Sequence, residues 1–347
     1  MTRAMQFGLG GLTGQATSHD RGGYGAALRH VVDLAVTAET SGFDGAWTSE
    51  HHFVDDGYLP SPLLPLVAIA ERTTRITLGT QVMLAPLYSP VKLAEDTAVL
   101  DQLSGGRLCL GIGLGYQGKE YKAFGTTATK RVAALERCVH VLRQSWRGEP
   151  VDIGDDEQVS VRPLPRQEPG PAILLGAIAE AGVRRSARIA DGFVAPMMSI
   201  GGYRRRVEWL LDEGVADDFA FGIYVHAFVA TEDAWPRARD GIAYVESQYA
   251  SWQQAHRDFD QFRTVDRGAL DEPPGHVIIG SPAQVIDQLS PWAELLRSLP
   301  GDGARHIIVR LTYPGFEPGA SHEVVSLFGS DVIPVLAADA VEASTRP

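Results

Sequence analysis

Two adjacent histidines beside a glutamate are the residues of this chain best suited to chemistry. The motif Glu50-His51-His52 directly follows a short apolar segment, residues 46–49, that we predict to be a strand. Neighbouring side chains on extended backbone point to opposite sides, so both histidines can hardly bind one metal ion, and the HExxH pattern is absent. We therefore predict no metal site. Two interpretations of His51 stay open: an acid–base role, to which histidine is suited near neutral pH, and a hydrogen-bonded structural role.

A glycine-rich run at the end of a second predicted strand indicates where a ligand could bind. The run Gly111-Ile112-Gly113-Leu114-Gly115 lacks the last glycine of the dinucleotide fingerprint, because Tyr116 occupies that position. Two interpretations remain. A flat ligand packs against the backbone at Gly113, where a Cβ atom would intrude, or the run is simply a tight turn.

A second group of small residues could bind an anion. Gly176-Ala177-Ile178-Ala179 follows a predicted strand at 173–175 and opens a helix. Small side chains leave the first amides of that helix accessible, and helix N-termini favour negative charge. Arg131 begins another predicted helix and could supply a positive charge. Together these features predict a phosphate pocket, although a helix starting after a glycine is also an ordinary connection.

The elements that must position these residues alternate regularly between strand and helix. Residues 76–82 and 108–113 are predicted strands, and the amphipathic helix at 90–102 lies between them. Eight such strands occur, each followed by a helix, which predicts one α/β domain folded as a single (β/α)8 TIM barrel over residues 1–347. The proline-rich segment 148–171 is predicted to be an insertion loop. The polar and aromatic segment 249–276 is predicted to be a mobile lid.

Composition limits the possible partners. The 347 residues carry a net charge of −12, which argues against nucleic acid or an anionic membrane as partner. We expect no signal peptide and no membrane span, since no apolar run is long enough. The two cysteines, Cys109 and Cys138, form no CxxC motif, so we expect reduced thiols and a cytoplasmic protein.

Beyond these single motifs, the sequence resembles the bacterial-luciferase-like superfamily of flavin- and deazaflavin-dependent oxidoreductases, the luciferase-like monooxygenases. The similarity spans nearly the whole chain and is densest over residues 41–125. The matching stretches are residues 41–44, Trp47 with 50–53, 78–80, 90–96, 100–107, 111–115 and 124–125. So many matches in order are specific for the superfamily and much less specific for a substrate.

This resemblance implies a TIM barrel that binds FMN at the carboxyl ends of its strands. It assigns the active-site histidine to His51, and it places a non-proline cis peptide near residues 80–82. It also implies which residues contact the cofactor. They are Gln81, Val82, Gly113 and Leu114 for the isoalloxazine ring, and Arg131 with Gly176, Ala177, Ile178 and Ala179 for the phosphate.

The implied activity is a two-component monooxygenation, in which a separate flavin reductase supplies reduced FMN and O2 is the co-substrate. The aromatic residues Trp252, Phe259 and Phe262 in the predicted lid suit a small apolar or aromatic substrate. Two alternatives stay open: hydride transfer with the deazaflavin coenzyme, and a non-catalytic flavin-binding protein. The helices after the second and third strands resemble the family's dimer face, which implies a homodimer. Gly113 and Leu114 stand where luciferases carry a reactive cysteine and an arginine, which argues against light emission.

Overall fold

The chain forms a closed barrel of eight parallel strands with the helices outside. The computed structural model describes residues 5–16, 21–253 and 270–342. We number only the barrel strands as β. They are β1 (Met5–Leu12), β2 (Gly45–Thr48), β3 (Thr77–Thr80), β4 (Leu108–Gly113), β5 (Ala172–Gly176), β6 (Gly192–Ala195), β7 (Ala220–Val229) and β8 (Arg305–Arg310).

Eleven α-helices occur in the described part of the chain, and at least one follows each barrel strand. They are α1 (Arg21–Thr40), α2 (Leu63–Arg72), α3 (Pro90–Ser104), α4 (Gly118–Ala123), α5 (Arg131–Trp146), α6 (Glu180–Ile189), α7 (Ile200–Glu213), α8 (Ala234–Gln253), α9 (Pro282–Ser298), α10 (Pro318–Leu327) and α11 (Ile333–Glu342). The predicted (β/α)8 architecture is confirmed.

Strand pairing closes the sheet into a ring. Neighbours pair in sequence order from β1 to β8, and β8 returns to β1 in parallel, with Gly8 opposite Ile308. The ends of parallel strands therefore meet at two opposite mouths of the barrel. The loops that follow the carboxyl ends carry Glu50-His51-His52, Gln81, Leu114 and Ala177, so the predicted site residues converge at one mouth.

One large side chain in the barrel interior, that of Trp47, fits because glycines in three neighbouring strands leave space for it. Trp47 is 1% exposed and belongs to an interior cluster with Cys109, Leu174 and Ile308. A Cβ atom added to Gly79 would lie 2.0 Å from Cε3 of this tryptophan. Added to Gly8 or Gly45, it would lie 2.3 or 2.5 Å from the indole nitrogen. The small residues thus make room for one large side chain in a close-packed core.

Two predicted elements differ from the structure for local reasons. The strand predicted at 76–82 ends at Thr80, because the chain leaves the barrel there. The Gln81–Val82 peptide is cis, and Met83–Leu84 then pairs with the end of β4. The last helix, predicted at 323–336, is instead α10 and α11, joined by a π-helical turn at Phe328–Val332.

The two predicted loop segments are described to different extents. Residues 148–171 contain an antiparallel hairpin between Val151–Gly154 and Glu157–Val159. The predicted lid at 249–276 falls largely outside the described residues, including Phe259 and Phe262, whereas 249–253 form the end of α8. No helix in the described ranges is both long and apolar enough to cross a membrane.

Candidate active site at the carboxyl ends of the strands

His51 is held by a buried carboxylate that comes from a different loop. Its Nδ1 atom lies 3.2 Å from Oε1 of Glu120 on α4, and both residues are buried. A carboxylate can only accept, so we assign the ring proton to Nδ1. The side-chain amide nitrogen of Gln117 is also 3.2 Å from Nδ1. Because two donors cannot bond each other, this tautomer requires the Gln117 amide to be turned so that its oxygen faces the ring. The lone pair of His51 is then on Nε2.

The other side of the His51 ring is enclosed by aromatic residues. The hydroxyl of Tyr116 lies 3.4 Å from Nε2. The ring centroids of Trp252, Tyr58 and Tyr249 lie 4.5, 5.0 and 6.0 Å from that of His51. Burial raises the pKa of Tyr58 and Tyr116 well above the ordinary value, so both phenols stay protonated and can donate. The imidazole therefore has a fixed orientation and a largely apolar surrounding.

His52 points into a different environment, in which a second buried carboxylate faces its ring. Its Nε2 atom is 2.7 Å from Oε1 of Glu50, which also accepts a hydrogen bond of 2.8 Å from the Tyr88 hydroxyl. The second carboxylate oxygen of Glu50 accepts the Leu84 backbone N–H at 2.7 Å. The backbone N–H of His52 donates to Glu120 at 3.1 Å. His52 and Glu50 thus connect three chain segments, and we interpret them as positioning residues.

The predicted ring-binding residues Val82 and Gly113 come together, and the structure explains the glycine. A Cβ atom at Gly113 would lie 2.7 Å from Cγ2 of Val82, and one at Gly176 would lie 2.8 Å from Cγ1. Gly113 pairs with Gly176 across β4 and β5. The tight-turn interpretation of Gly113 is wrong, because this residue is the last of a strand. The glycines accommodate the Val82 side chain, which forms this part of the barrel mouth.

The predicted phosphate residues lie on two helices that are fastened to each other. Arg131 is the first residue of α5, and Ala179 is the N-cap of α6, where no side chain caps the helix. An ion pair of 2.7 Å between Arg185 on α6 and Glu136 on α5 holds the helices side by side. Gly176, Ala177 and Ile178 lead from β5 into this uncapped start, as the sequence predicts for an anion site.

Two polar atoms at the predicted cofactor residues are buried without a hydrogen-bond partner among the described residues. They are Oε1 of Gln81, an acceptor, and Nε of Arg131, a donor. Buried polar groups are normally bonded, so each unpaired one calls for an explanation. The hydroxyl of Tyr121 bonds the Leu114 carbonyl at 2.6 Å, and this contact fixes Leu114 at the same mouth.

Sequence reasoning missed a polar network beside His51. The Asp56 carboxylate accepts hydrogen bonds of 2.7 Å from Gln15 and Tyr244 and of 2.9 Å from Gln248. Oε1 of Gln15 in turn accepts a hydrogen bond of 3.2 Å from Arg310. The available signal was Arg310 itself, a charged residue at the end of an apolar strand, at the mouth where ligands bind.

A second missed cluster fastens α8 to the barrel. Oε1 of Glu246 lies 3.5 Å from Nδ1 of His226 on β7 and 3.2 Å from Nε2 of His276. Burial alone would raise the pKa of Glu246, but the two histidines outweigh it and lower that pKa to about 2. These contacts place α8, which carries Tyr249 and Trp252, against β7 and the segment that contains His276. Within the described ranges, no group of three or more His, Cys, Asp or Glu could hold a metal ion.

Comparison with known proteins shows which family the chain resembles. A family model described as luciferase-like monooxygenase matches residues 5–298. The chain is 31% identical over 152 residues to the oxygenase component of flavin-dependent trigonelline monooxygenase from Acinetobacter baylyi, covering 42% of each chain. It is 34% identical over 187 residues to an F420-dependent glucose-6-phosphate dehydrogenase from Mycobacterium avium, covering 48% of this chain and 53% of the relative. The matches thus span about half the length of these curated relatives.

A solved structure supports the fold over a longer range. Monooxygenase RslO1 from Streptomyces bottropensis superimposes with a TM-score of 0.77 at 24% identity, covering 95% of this chain and 99% of that one. At this identity the likeness bears on the fold alone.

We predict that Glu50 is required for stability. Replacing it with alanine removes three hydrogen bonds and leaves the buried Leu84 N–H without an acceptor, so Glu50→Ala should lower the free energy of unfolding by about 2–4 kcal/mol. Urea unfolding followed by circular dichroism measures this. Glu71→Ala on the exposed side of α2 is the control, with an expected change within about 0.5 kcal/mol. Equal midpoints for the two variants would contradict the assigned role.

Proposed function

Because this chain belongs to the luciferase-like monooxygenase family, we propose that it is an enzyme that uses reduced FMN and O2 to oxygenate a small organic substrate. The observation that carries the proposal is the environment of His51, whose Nδ1 atom faces the buried carboxylate of Glu120 at 3.2 Å while Nε2 lies 3.4 Å from the Tyr116 hydroxyl. The aromatic residues around this ring favour an apolar or aromatic substrate. The trigonelline monooxygenase component provides a precedent for flavin use in a relative.

The residues at the mouth fit a flavin mononucleotide. Val82 and Leu114 offer apolar surface for the isoalloxazine ring, and Oε1 of Gln81 is a buried acceptor in need of a donor. Arg131 and the uncapped start of α6 would hold the phosphate, which needs donors and positive charge. Bound reduced FMN supplies the electrons with which O2 is activated.

The protein's own contribution would be to hold one proton and to limit water. With the proton on Nδ1 bonded to Glu120, Nε2 of His51 can accept a proton from the reacting centre or pass one to it. Tyr116, whose pKa is raised by burial, remains a hydrogen-bond donor beside Nε2. Trp252 and Tyr249 on α8 cover the ring and lower its exposure to solvent.

A second function rests on the same fold. The Mycobacterium avium relative is F420-dependent, so hydride transfer with the deazaflavin coenzyme is the alternative, in which the same pocket operates without O2. We further propose that reduced flavin is delivered by a separate reductase, because the trigonelline monooxygenase relative is the oxygenase component of its enzyme.

We also propose a homodimer formed through α2 and α3. Leu64 on α2 is 70% exposed, and Val99 and Leu103 on α3 are 43% and 49% exposed, so these neighbouring helices present apolar surface. Sedimentation equilibrium should give twice the mass of one chain, and a monomer at micromolar concentration would contradict the proposal.

The choice between the cofactors is tested by anaerobic titration with reduced FMN and with reduced F420, followed by admission of oxygen. We expect reduced FMN to bind more tightly than F420 and to be reoxidised with uptake of O2. Binding of F420 alone would instead support hydride transfer. Binding of neither would refute the pocket assignment.

We predict that His51→Asn lowers the reoxidation rate of bound reduced FMN by about 10²-fold, because the substitution removes the proton acceptor. The dissociation constant for reduced FMN should stay within about threefold of the wild-type value. Stopped-flow absorbance under the same conditions measures both quantities. His140→Asn, at an exposed position of α5, is the matched control, and it should leave the rate unchanged. An unaltered rate in His51→Asn would exclude the proposed role.

A further inference from the structure

Arg310 is a buried cation whose hydrogen bonding is incomplete. It ends β8 and is 1% exposed. Its Nε atom donates to the Thr312 carbonyl and one terminal nitrogen donates to Oε1 of Gln15, both at 3.2 Å. The other terminal nitrogen, Nη1, is buried and makes no well-formed hydrogen bond with a described residue, although the Tyr224 hydroxyl lies beside the guanidinium. A guanidinium offers five donors in a fixed planar fork, so this side chain retains donors for a further group.

A second buried arginine on the same strand has hydrogen bonds from its guanidinium to several backbone carbonyls. Arg305 begins β8 and is fully buried. Its guanidinium donates to the carbonyls of Leu296 at 3.0 Å, Pro300 at 2.7 Å and Gly301 at 3.1 Å, and also to Gly303. These contacts close the turn before the strand. Arg305 is therefore structural, and burial of an arginine in this barrel does not by itself require a ligand.

The charge of Arg310 is not balanced by a direct ion pair. Among the described residues no carboxylate lies within salt-bridge distance of it, and Asp56 is reached only through Gln15. The groups around the guanidinium are phenols: Tyr224 beside it and Tyr313, whose ring centroid is 5.4 Å away. Burial raises the pKa of both phenols, so they stay neutral. A buried charge without a counterion is costly, and an incoming anion would relieve that cost.

Arg310 and His51 share one pair of tyrosines as neighbours. The hydroxyls of Tyr58 and Tyr249 are 2.9 Å apart. Both rings contact His51, and both phenols are electrostatically coupled to Arg310. A ligand whose reacting atom meets His51 could therefore place a charged end at Arg310, with aromatic surface between the two.

We propose that Arg310 recognises a carboxylate of the substrate, so that the enzyme acts on an organic acid with an apolar or aromatic body. The proposal rests on the proposed function for the identity of the reacting site. The planar fork of arginine matches a carboxylate, and Nη1 is the donor that remains for it. Neutral phenols next to the guanidinium add donors without competing negative charge. Arg310 is in this view a specificity-determining residue, and the proton chemistry remains at His51.

The test compares carboxylates with neutral amides of the same shape. Benzoate, 3-phenylpropionate and hexanoate are each titrated against benzamide, 3-phenylpropionamide and hexanamide at constant ionic strength. Calorimetry and thermal shift are read with the cofactor-free protein and with the protein saturated with oxidised FMN. We expect at least one acid to bind at least about 30-fold more tightly than its amide, as for a buried charge pair. Amides that bind as well as all three acids in both forms would overturn the proposal.

Arg310→Met should abolish this preference without lowering the melting temperature in the absence of ligand, because an unpaired buried charge is replaced by an apolar chain of similar length. Arg310→Lys should keep part of the preference. Arg305→Met, or Arg305→Lys if the first variant does not fold, should lower the melting temperature and keep the preference for acids. If Arg310→Met is destabilised like Arg305→Met and still prefers acids, Arg310 is structural and the proposal fails.

Failure of the proposed function gives a different pattern. The acid–amide comparison needs no reduced cofactor and no oxygen. Selective binding of acids without binding of reduced FMN or F420 would leave the assignment of Arg310 in place and remove the cofactor assignment. Cofactor binding without selectivity for acids would leave the cofactor assignment in place and remove the assignment of Arg310.

Discussion

The buried carboxylate of Glu50 is the contact on which the arrangement of the site depends. It joins the loop after β2 to the Leu84 N–H, on the segment that leaves β3, and to the Tyr88 hydroxyl. That segment contains Val82, whose side chain fits between the backbones of Gly113 and Gly176. The segments that follow the neighbouring strands β2 and β3 are therefore connected through a single acidic side chain. Because Glu50 is 2% exposed, its hydrogen bonds face little competition from water.

A second buried carboxylate extends this arrangement to the imidazole. Glu120 faces Nδ1 of His51 and accepts the backbone N–H of His52, so one side chain positions both the His51 ring and the backbone of the next residue. The two adjacent histidines point to opposite sides, as extended backbone requires. Each faces its own carboxylate. His51 also packs against Trp252 and Tyr58, whereas His52 packs against Phe124. The proposed division between a positioning histidine and a chemical one rests on these different surroundings.

The features that were predicted from the sequence are those that depend on local residue patterns. Alternating strands and helices gave the barrel, and Leu108–Gly113 has the predicted bounds. The glycines were noticed, but their partners were not, because Trp47 and Val82 reach them across strands that are distant in the chain. For the same reason the contacts of His51 with Glu120, 69 residues away, and of Arg310 with Gln15, 295 residues away, were not predictable. Such contacts arise only when the barrel closes and brings the loops to one mouth.

The two mouths of the barrel use arginine in opposite ways. At the amino ends of the strands, Arg107 donates to the carbonyls of Ala70, Thr73 and Ile76, and Arg305 closes the turn before β8. These guanidiniums satisfy backbone groups that loops would otherwise leave unpaired, so they stabilise the fold. At the carboxyl ends, Arg131 and Arg310 each keep a buried nitrogen that makes no well-formed hydrogen bond with a described residue. Unsatisfied donors lower stability. The proposed phosphate and carboxylate ligands would complete the hydrogen bonding of these two arginines at the mouth that also carries His51.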